Sequence, residues 1–408
     1  MRRRRLPILP YQTSKTMSNA LPNVEIGTRE DIQAAPMRKE FSIYLDLIRF
    51  MAALMVVIYH SNTRALTTEL VPFSNHGHAA VIVFFILSGY VISFVTSTRE
   101  NTPIAYWSSR LSRFYLLVIP VVLITPVLDI VGGALGPQFY DGKSTHDLAW
   151  LRILTSLTYM NEIWTISIMS FSNVPFWSLC YEMWYYVMFS VAAFTQGRTR
   201  ILLLTACALV VGPKILLLAP IWVLGVVLHR WKALDRLPEA VSWVLFLGSI
   251  ALYALFQHYG LTEYGYTLLG KLIGTHWARE LAFSRYFILD YPLALIVAAN
   301  FIGSRNISFR FGWLLLPLER PIRWVAGLTF PLYIMHQPVM QFFSALIDGN
   351  PNTPVFYLEV MACTFATVAV LGTYSERKRP GFKRWVHGVL LRLKAWLPGG
   401  AVGKPMAQ

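Results

Sequence analysis

The segment from Phe41 to Ser61, FSIYLDLIRFMAALMVVIYHS, is long and apolar enough to cross a bilayer, yet it carries Asp46, Arg49 and His60. A charge at membrane depth is costly unless it faces a partner or a water-filled cavity. Arg49 and His60 are eleven residues apart. That is about three helical turns, so both project from nearly the same face, roughly 16 Å apart along the axis. Asp46, three residues before Arg49, shares that face and is placed to pair with it. A polar stripe through a spanning helix points to function as well as to fold.

The rest of the chain agrees with a membrane protein. Of its 408 residues 55% are hydrophobic and 14% charged, with a mean hydropathy of +0.48; soluble domains carry about 25% charged residues. Apolar segments long enough, or nearly so, to span recur near 42–62, 79–98, 114–135, 176–196, 200–213, 214–231, 239–258, 283–303, 325–348 and 354–374. The fifth and sixth form one run, Ile201 to Trp231, with Gly212-Pro213-Lys214 as a tight turn. This predicts an all-α integral membrane protein with about ten transmembrane helices. With the N-terminus placed in the cytoplasm, 28 of the 36 Lys and Arg residues fall in inside segments and six outside, while Arg49 and Arg285 lie within spans. Such a bias follows the positive-inside rule and, with an even number of spans, puts both termini in the cytoplasm. The net charge of +15 is therefore assigned to topology and to anionic membrane lipids, not to nucleic acid.

Residues 1–40 read as a basic, disordered cytoplasmic tail, 41–376 as the transmembrane domain and 377–408 as a second basic cytoplasmic tail. The opening MRRRR is followed by LPILPYQTSK, which lacks the uninterrupted apolar core of a secretory signal. The longest outside loop, about 136–175, is polar and aromatic, with room for a short re-entrant or surface helix. Cys180, Cys207 and Cys363 sit in apolar segments without paired spacing, so neither a disulfide framework nor a metal site is expected. His76 and His78 make only a weak metal pair, because no further ligand spacing supports them.

Several residues have the right chemistry for a site. His60, near the outer end of the first span, has an imidazole suited to act as a general base toward a hydroxyl. Glu182, in FWSLCYEMWYY, is placed at a matching depth on the fourth span and makes a plausible orienting partner for it; a structural ion pair is the plainer explanation. Arg110 and Arg113 lie one turn apart at the cytoplasmic mouth of the third span. Two guanidiniums on one face form a fork suited to phosphates, although ordinary positive-inside flanking also produces such pairs. Ser178 and Trp177 precede Glu182, and Tyr333 and His336 lie in the proline-flanked ninth span, where freed carbonyls can open a cavity. With Asp46, these four are the candidates for an acceptor site or tunnel. Arg285 and Asp290 are expected to form one polar network in the eighth span.

Together these pieces resemble the integral-membrane acyltransferase family type 3, bacterial O-acyltransferases that decorate surface sugars and lipids. LDLIRFMAALMVVIYH resembles the family's Arg-x10-His motif with Arg49 and His60, and VFFILSGYVI its Phe-Phe-x-Leu-Ser-Gly block. The Arg110/Arg113 pair, FWSLCYEMWYY, and LTFPLYIMHQP with its Tyr-x-x-His-x-Pro element follow in order; TYSERKRP with Glu376 is a looser match at the end. Many members carry an acidic residue two positions before the Phe-Phe pair, where this chain has Ile82. The resemblance implies transfer of an acyl group, usually acetyl, from cytoplasmic acyl-CoA to a saccharide or glycolipid acceptor at the bacterial inner membrane. It also implies that Arg49 and His60 are essential and that Arg110 and Arg113 hold the CoA phosphates. Some members carry an appended extracytoplasmic hydrolase-like domain; the short tail past the last span gives the expectation that this chain acts alone or with a separate partner. The rival reading is a transporter or flippase for a lipid-linked glycan, which also needs polar residues at mid-depth.

Overall fold

A segment surrounded by lipid must satisfy every backbone group internally, and the apolar runs accordingly fold as helices. The computed structural model describes residues 37–62, 66–67, 71–142 and 146–396, with no β-strand among the described residues. In chain order the helices are α1 (Lys39–His60), α2 (Gly77–Thr98), α3 (Pro103–Leu135), α4 (Ala149–Leu157), α5 (Trp177–Phe194), α6 (Gly197–Arg230) and α7 (Glu239–His258). There follow α8 (Leu261–Ile273), α9 (Thr275–Glu280), α10 (Phe287–Ile307), α11 (Gly312–Leu315), α12 (Glu319–Gly327), α13 (Thr329–Leu346) and α14 (Pro354–Trp396). Among the described residues seven segments are long and apolar enough to cross a membrane: those containing α1, α2, α3, α6, α7, α10 and α14. The expected spans near 176–196 and 325–348 also coincide with helices, α5 and α13, each of 18 residues and diluted by polar side chains.

The paired fifth and sixth spans form α6, broken at Gly212, whose φ of 73° and ψ of −172° suit glycine alone. Pro213 cannot donate to the Leu209 carbonyl, and the Trp164 indole N–H donates there instead at 2.9 Å. The Trp164 main-chain N–H donates to the Val211 carbonyl, also at 2.9 Å. Both ends of α6 return to the C-terminal end of α5. Arg200 Nε donates to the Thr195 carbonyl at 2.7 Å, and the Arg230 guanidinium lies 5.9 Å from the Phe189 ring. Just past the break, the Ile215 carbonyl accepts from the Tyr185 hydroxyl at 2.8 Å, nearer the start of α5. α6 is thus a helical hairpin, not a straight rod.

Small residues let the hairpin press against α2. A Cβ built on Gly89 would stand 2.0 Å from the Trp222 carbonyl oxygen, and one on Gly225 2.0 Å from that of Ile86, the backbone approach by which helices pack in lipid. In α13, Pro331 occupies the first turn, where a missing N–H costs little, and Leu328 separates it from α12. Pro338 leaves the Ile334 carbonyl without its helical donor, and Asn173 Nδ2 fills the gap at 2.8 Å. α4 provides the short helix expected within 136–175. α14 runs past 374 to Trp396, so part of the expected C-terminal tail is helical. The expected disordered tail lies, over residues 1–36, outside the described residues.

Candidate functional site

Residues of α1, α2, α3, α5 and α13 line a cavity. Arg49, Arg110, Arg113 and Phe330 line the end at which α1, α3 and α13 begin. Away from the arginines, Glu182 and then Ser178 line it from α5, and Tyr333 from α13.

The three guanidiniums are not equivalent. Arg49 donates to Asp46 at 2.7 Å and to the Ala326 carbonyl at 3.4 Å, while Asp46 also accepts from Arg323 at 2.8 Å. Asp46 therefore anchors the mouth and does not line the cavity. Arg110 pairs with Glu100 and lies 5.4 and 5.8 Å from the rings of Tyr106 and Tyr186. Arg113 sits 5.6 Å from the Phe330 ring and has no carboxylate partner among the described residues. One tine of the expected fork is thus neutralised and the other is not. The Nε atoms of Arg49 and Arg110 are buried without a hydrogen-bond partner. Arg379 on α14 lies within electrostatic reach of all three. A ligand with several phosphate oxygens would satisfy these donors.

Glu182 does not pair with His60, contrary to the sequence expectation. Its carboxylate accepts from Ser88 Oγ at 2.6 Å and from the Tyr186 hydroxyl, and Trp222 Nε1 donates to Ser88 at 3.2 Å. The reason is depth. Ser178, one turn before Glu182, bonds the Tyr333 hydroxyl at 2.6 Å, and Tyr333 itself lies one turn short of His336. Glu182 therefore sits about two turns, roughly 10 Å, from the level of His60. Ser88 and Tyr186 were missed as site residues, although both fall within the quoted FFILSGYVI and FWSLCYEMWYY blocks.

The ring that His60 meets belongs to His336. His336 Nε2 is 3.2 Å from His60 Nδ1, with ring centroids 5.2 Å apart. His336 Nδ1 lies 2.9 Å from the carbonyl oxygens of Leu332 and Tyr333, which only accept, so this nitrogen carries the proton and Nε2 the lone pair. His60 Nδ1 faces that lone pair and, at 2.9 Å, the Val56 carbonyl. Two acceptors place the His60 proton on Nδ1, so that its Nε2 carries the lone pair. Neither histidine lines the cavity; the Ser178–Tyr333 bond lies between them and the arginines.

Trp177 is buried, stacked on Phe283 at 4.3 Å, and does not line the cavity either. Arg285 and Asp290 are not bonded to each other but are linked in one cluster: Arg285 donates to the Tyr286 hydroxyl at 2.8 Å, the Tyr286 ring lies 4.7 Å from that of His78, and His78 bonds Asp290 at 2.7 Å. His76, just before α2, bonds the Tyr253 hydroxyl at 2.5 Å, whereas His78 lies in the first turn of α2, so the two histidines do not share a partner. No group of three metal-ligating side chains occurs among the described residues.

The model of a family described as "Acyltransferase domain" matches residues 42–373. The "Putative peptidoglycan O-acetyltransferase YrhL" of Bacillus subtilis (strain 168) is 22% identical over 397 residues, covering 88% of this chain and 58% of that protein. The "Putative O-acetyltransferase SACOL0978" of Staphylococcus aureus (strain COL) is 30% identical over 166 residues, 37% of this chain and 24% of the relative. The "Exopolysaccharide production protein ExoZ" of Rhizobium meliloti (strain 1021) is 28% identical over 204 residues, 45% of this chain and 61% of the relative. The chain thus spans less than two thirds of the length of these relatives. No solved structure matches it.

Proposed function

The chain belongs to this acyltransferase family, and from that premise we propose that it is a multi-pass membrane O-acyltransferase. It moves an acyl group, acetyl first among them, from acyl-CoA to a hydroxyl of an exported or cell-surface saccharide. The observation that carries the reading is the order of groups through the bundle: three arginines, then Glu182, then Ser178–Tyr333, then His336–His60.

In this reading Arg113, Arg110 and Arg49 hold the donor phosphates at the cytoplasmic end. The thioester arm passes the Ser178–Tyr333 contact to reach His60. His60 Nε2 takes the proton of the acceptor hydroxyl as its oxygen bonds the acyl carbon; the C–S bond breaks, and the proton passes to the leaving thiolate. Glu182 fixes Ser88 and Tyr186 along the path and takes no part as a base. Ten spans with both termini in the cytoplasm of a bacterial inner membrane fit the charge bias, and the hairpin form of α6 supports counting it as two.

The test is transfer from radiolabelled acetyl-CoA to surface glycan by the purified protein. His60→Ala is expected to lose about 10²–10⁴-fold in rate while still binding acyl-CoA. Full transfer by a normally folded His60→Ala protein overturns the assignment. Absence of acyl-CoA binding by the parent protein favours a flippase.

A further inference from the structure

We propose that the His60 end of the bundle carries a subsite for an acidic saccharide, centred on Arg285, that binds the acceptor through a sugar carboxylate. The inference rests on reading His60 as the transfer centre. Arg285 packs against a pair of touching tyrosines: its guanidinium carbon is 4.9 Å from the ring centroids of both Tyr266 and Tyr286, which lie 5.8 Å from each other. It donates to the Tyr286 hydroxyl at 2.8 Å, its Nε is buried without a partner, and no described carboxylate pairs with it.

A second unsatisfied group stands beside it. The Tyr286 ring is 4.7 Å from that of His78, and His78 Nε2 is 2.7 Å from Asp290 Oδ1. Asp290 is 1% exposed, and its other oxygen, Oδ2, has no hydrogen-bond partner among the described residues. The cluster adjoins the catalytic histidine: a Cβ on Gly77, the residue before His78, would stand 2.4 Å from the Tyr59 ring, which lies 5.0 Å from the ring of His60.

Buried polar groups are rarely left unpaired. A guanidinium packed on one side against two rings keeps N–H groups, the buried Nε among them, for a carboxylate, while Asp290 Oδ2 requires a donor. An acidic saccharide brings both an anion and hydroxyl donors, and its place beside His60 is where an acceptor must sit.

The experiment is calorimetric titration of the full chain in phosphatidylcholine nanodiscs with tetragalacturonate and with its methyl ester. No acyl donor is present, so binding stands or fails independently of transfer. The acid is expected to bind about 10-fold or more tightly than the ester. Arg285→Gln is expected to abolish that preference while leaving ester binding unchanged. Arg285→Lys, which keeps the charge, should retain part of the preference and serves if the glutamine variant does not fold. Equal binding of acid and ester by the parent protein, or an undiminished preference in folded Arg285→Gln, overturns the proposal. If Arg285→Gln changes only phosphatidylglycerol binding, the cation serves a lipid headgroup and the saccharide subsite is likewise overturned.

Discussion

His336 Nε2 lies 3.2 Å from His60 Nδ1, and the carbonyl oxygens of Leu332 and Tyr333 hold the His336 proton on its far nitrogen. In the proposed mechanism His336 would do for His60 what an orienting carboxylate does in other sites: fix the tautomer and accept from the imidazolium that would form during transfer. His336→Phe keeps the aromatic volume and removes the acceptor. Its kcat is expected to fall about 10²-fold, with donor KM little changed because His336 does not line the cavity. Steady-state kinetics of the purified variant, with its melting temperature alongside, checks this. An unchanged kcat would show that His60 does not depend on His336 for its orientation.

That pairing shows where sequence reading stopped. The Asp46–Arg49 pair was legible because both residues lie on one helix at fixed spacing. The hairpin of α6 was legible because glycine and proline punctuate an apolar run. The partner of His60 lies 276 residues away, and matching histidine to glutamate by depth required knowing where α5 starts relative to the bilayer. The irregular loop before α5 sets that start, bonded by Ser172 to Asp129 at 2.6 Å and by Asn173 to Ile334 at 2.8 Å; such bonds leave no periodic trace in a sequence. The inequality of Arg110 and Arg113 was hidden for the same reason, since Glu100 lies on the link before α3.

Arg113 and Arg110 should fail differently. Arg113 has no carboxylate to strand, so Arg113→Gln is expected to remain folded and to raise donor KM about 10-fold or more, the loss of a charge-assisted phosphate contact. Arg110→Gln leaves Glu100 buried without its cation, a change that costs about 3–5 kcal/mol, so a drop in melting temperature should accompany any loss of donor binding. Donor titration and thermal unfolding in detergent separate the two; identical behaviour would restore the simple fork.

The crossing of α2 and α6 makes a packing prediction. At Gly225 an added methyl meets the Ile86 carbonyl at 2.0 Å, whereas at Gly248 in α7 nothing lies within 4 Å. Gly225→Ala is expected to destabilise by about 1–3 kcal/mol as backbone is pushed apart. Gly248→Ala should stabilise by about 0.5–1 kcal/mol through helix propensity. Thermal melts of the two variants should shift in opposite directions, and a neutral Gly225→Ala would mean that the helices cross less closely.

The hairpin of α6 is held at its turn by a buried ion pair. Lys214 Nζ donates to Glu162 at 2.8 Å and to the Ile166 carbonyl at 2.5 Å, Ser167 donates to the other Glu162 oxygen at 2.7 Å, and both charged side chains are 0% exposed. Ser284, ahead of α10, donates to the Lys214 carbonyl at 2.7 Å, so three segments meet where Gly212 reverses the chain. Removing one charge strands the other, at a cost of about 3–5 kcal/mol, whereas replacing both by apolar side chains of similar size is often neutral. Lys214→Met and Glu162→Leu alone should each lower the melting temperature sharply, and the double variant should recover most of the loss. Recovery separates the charge from the fold: if the double variant is no better than the singles, the hydrogen bonds to Ile166 and Ser167, rather than the pairing of charges, hold the turn.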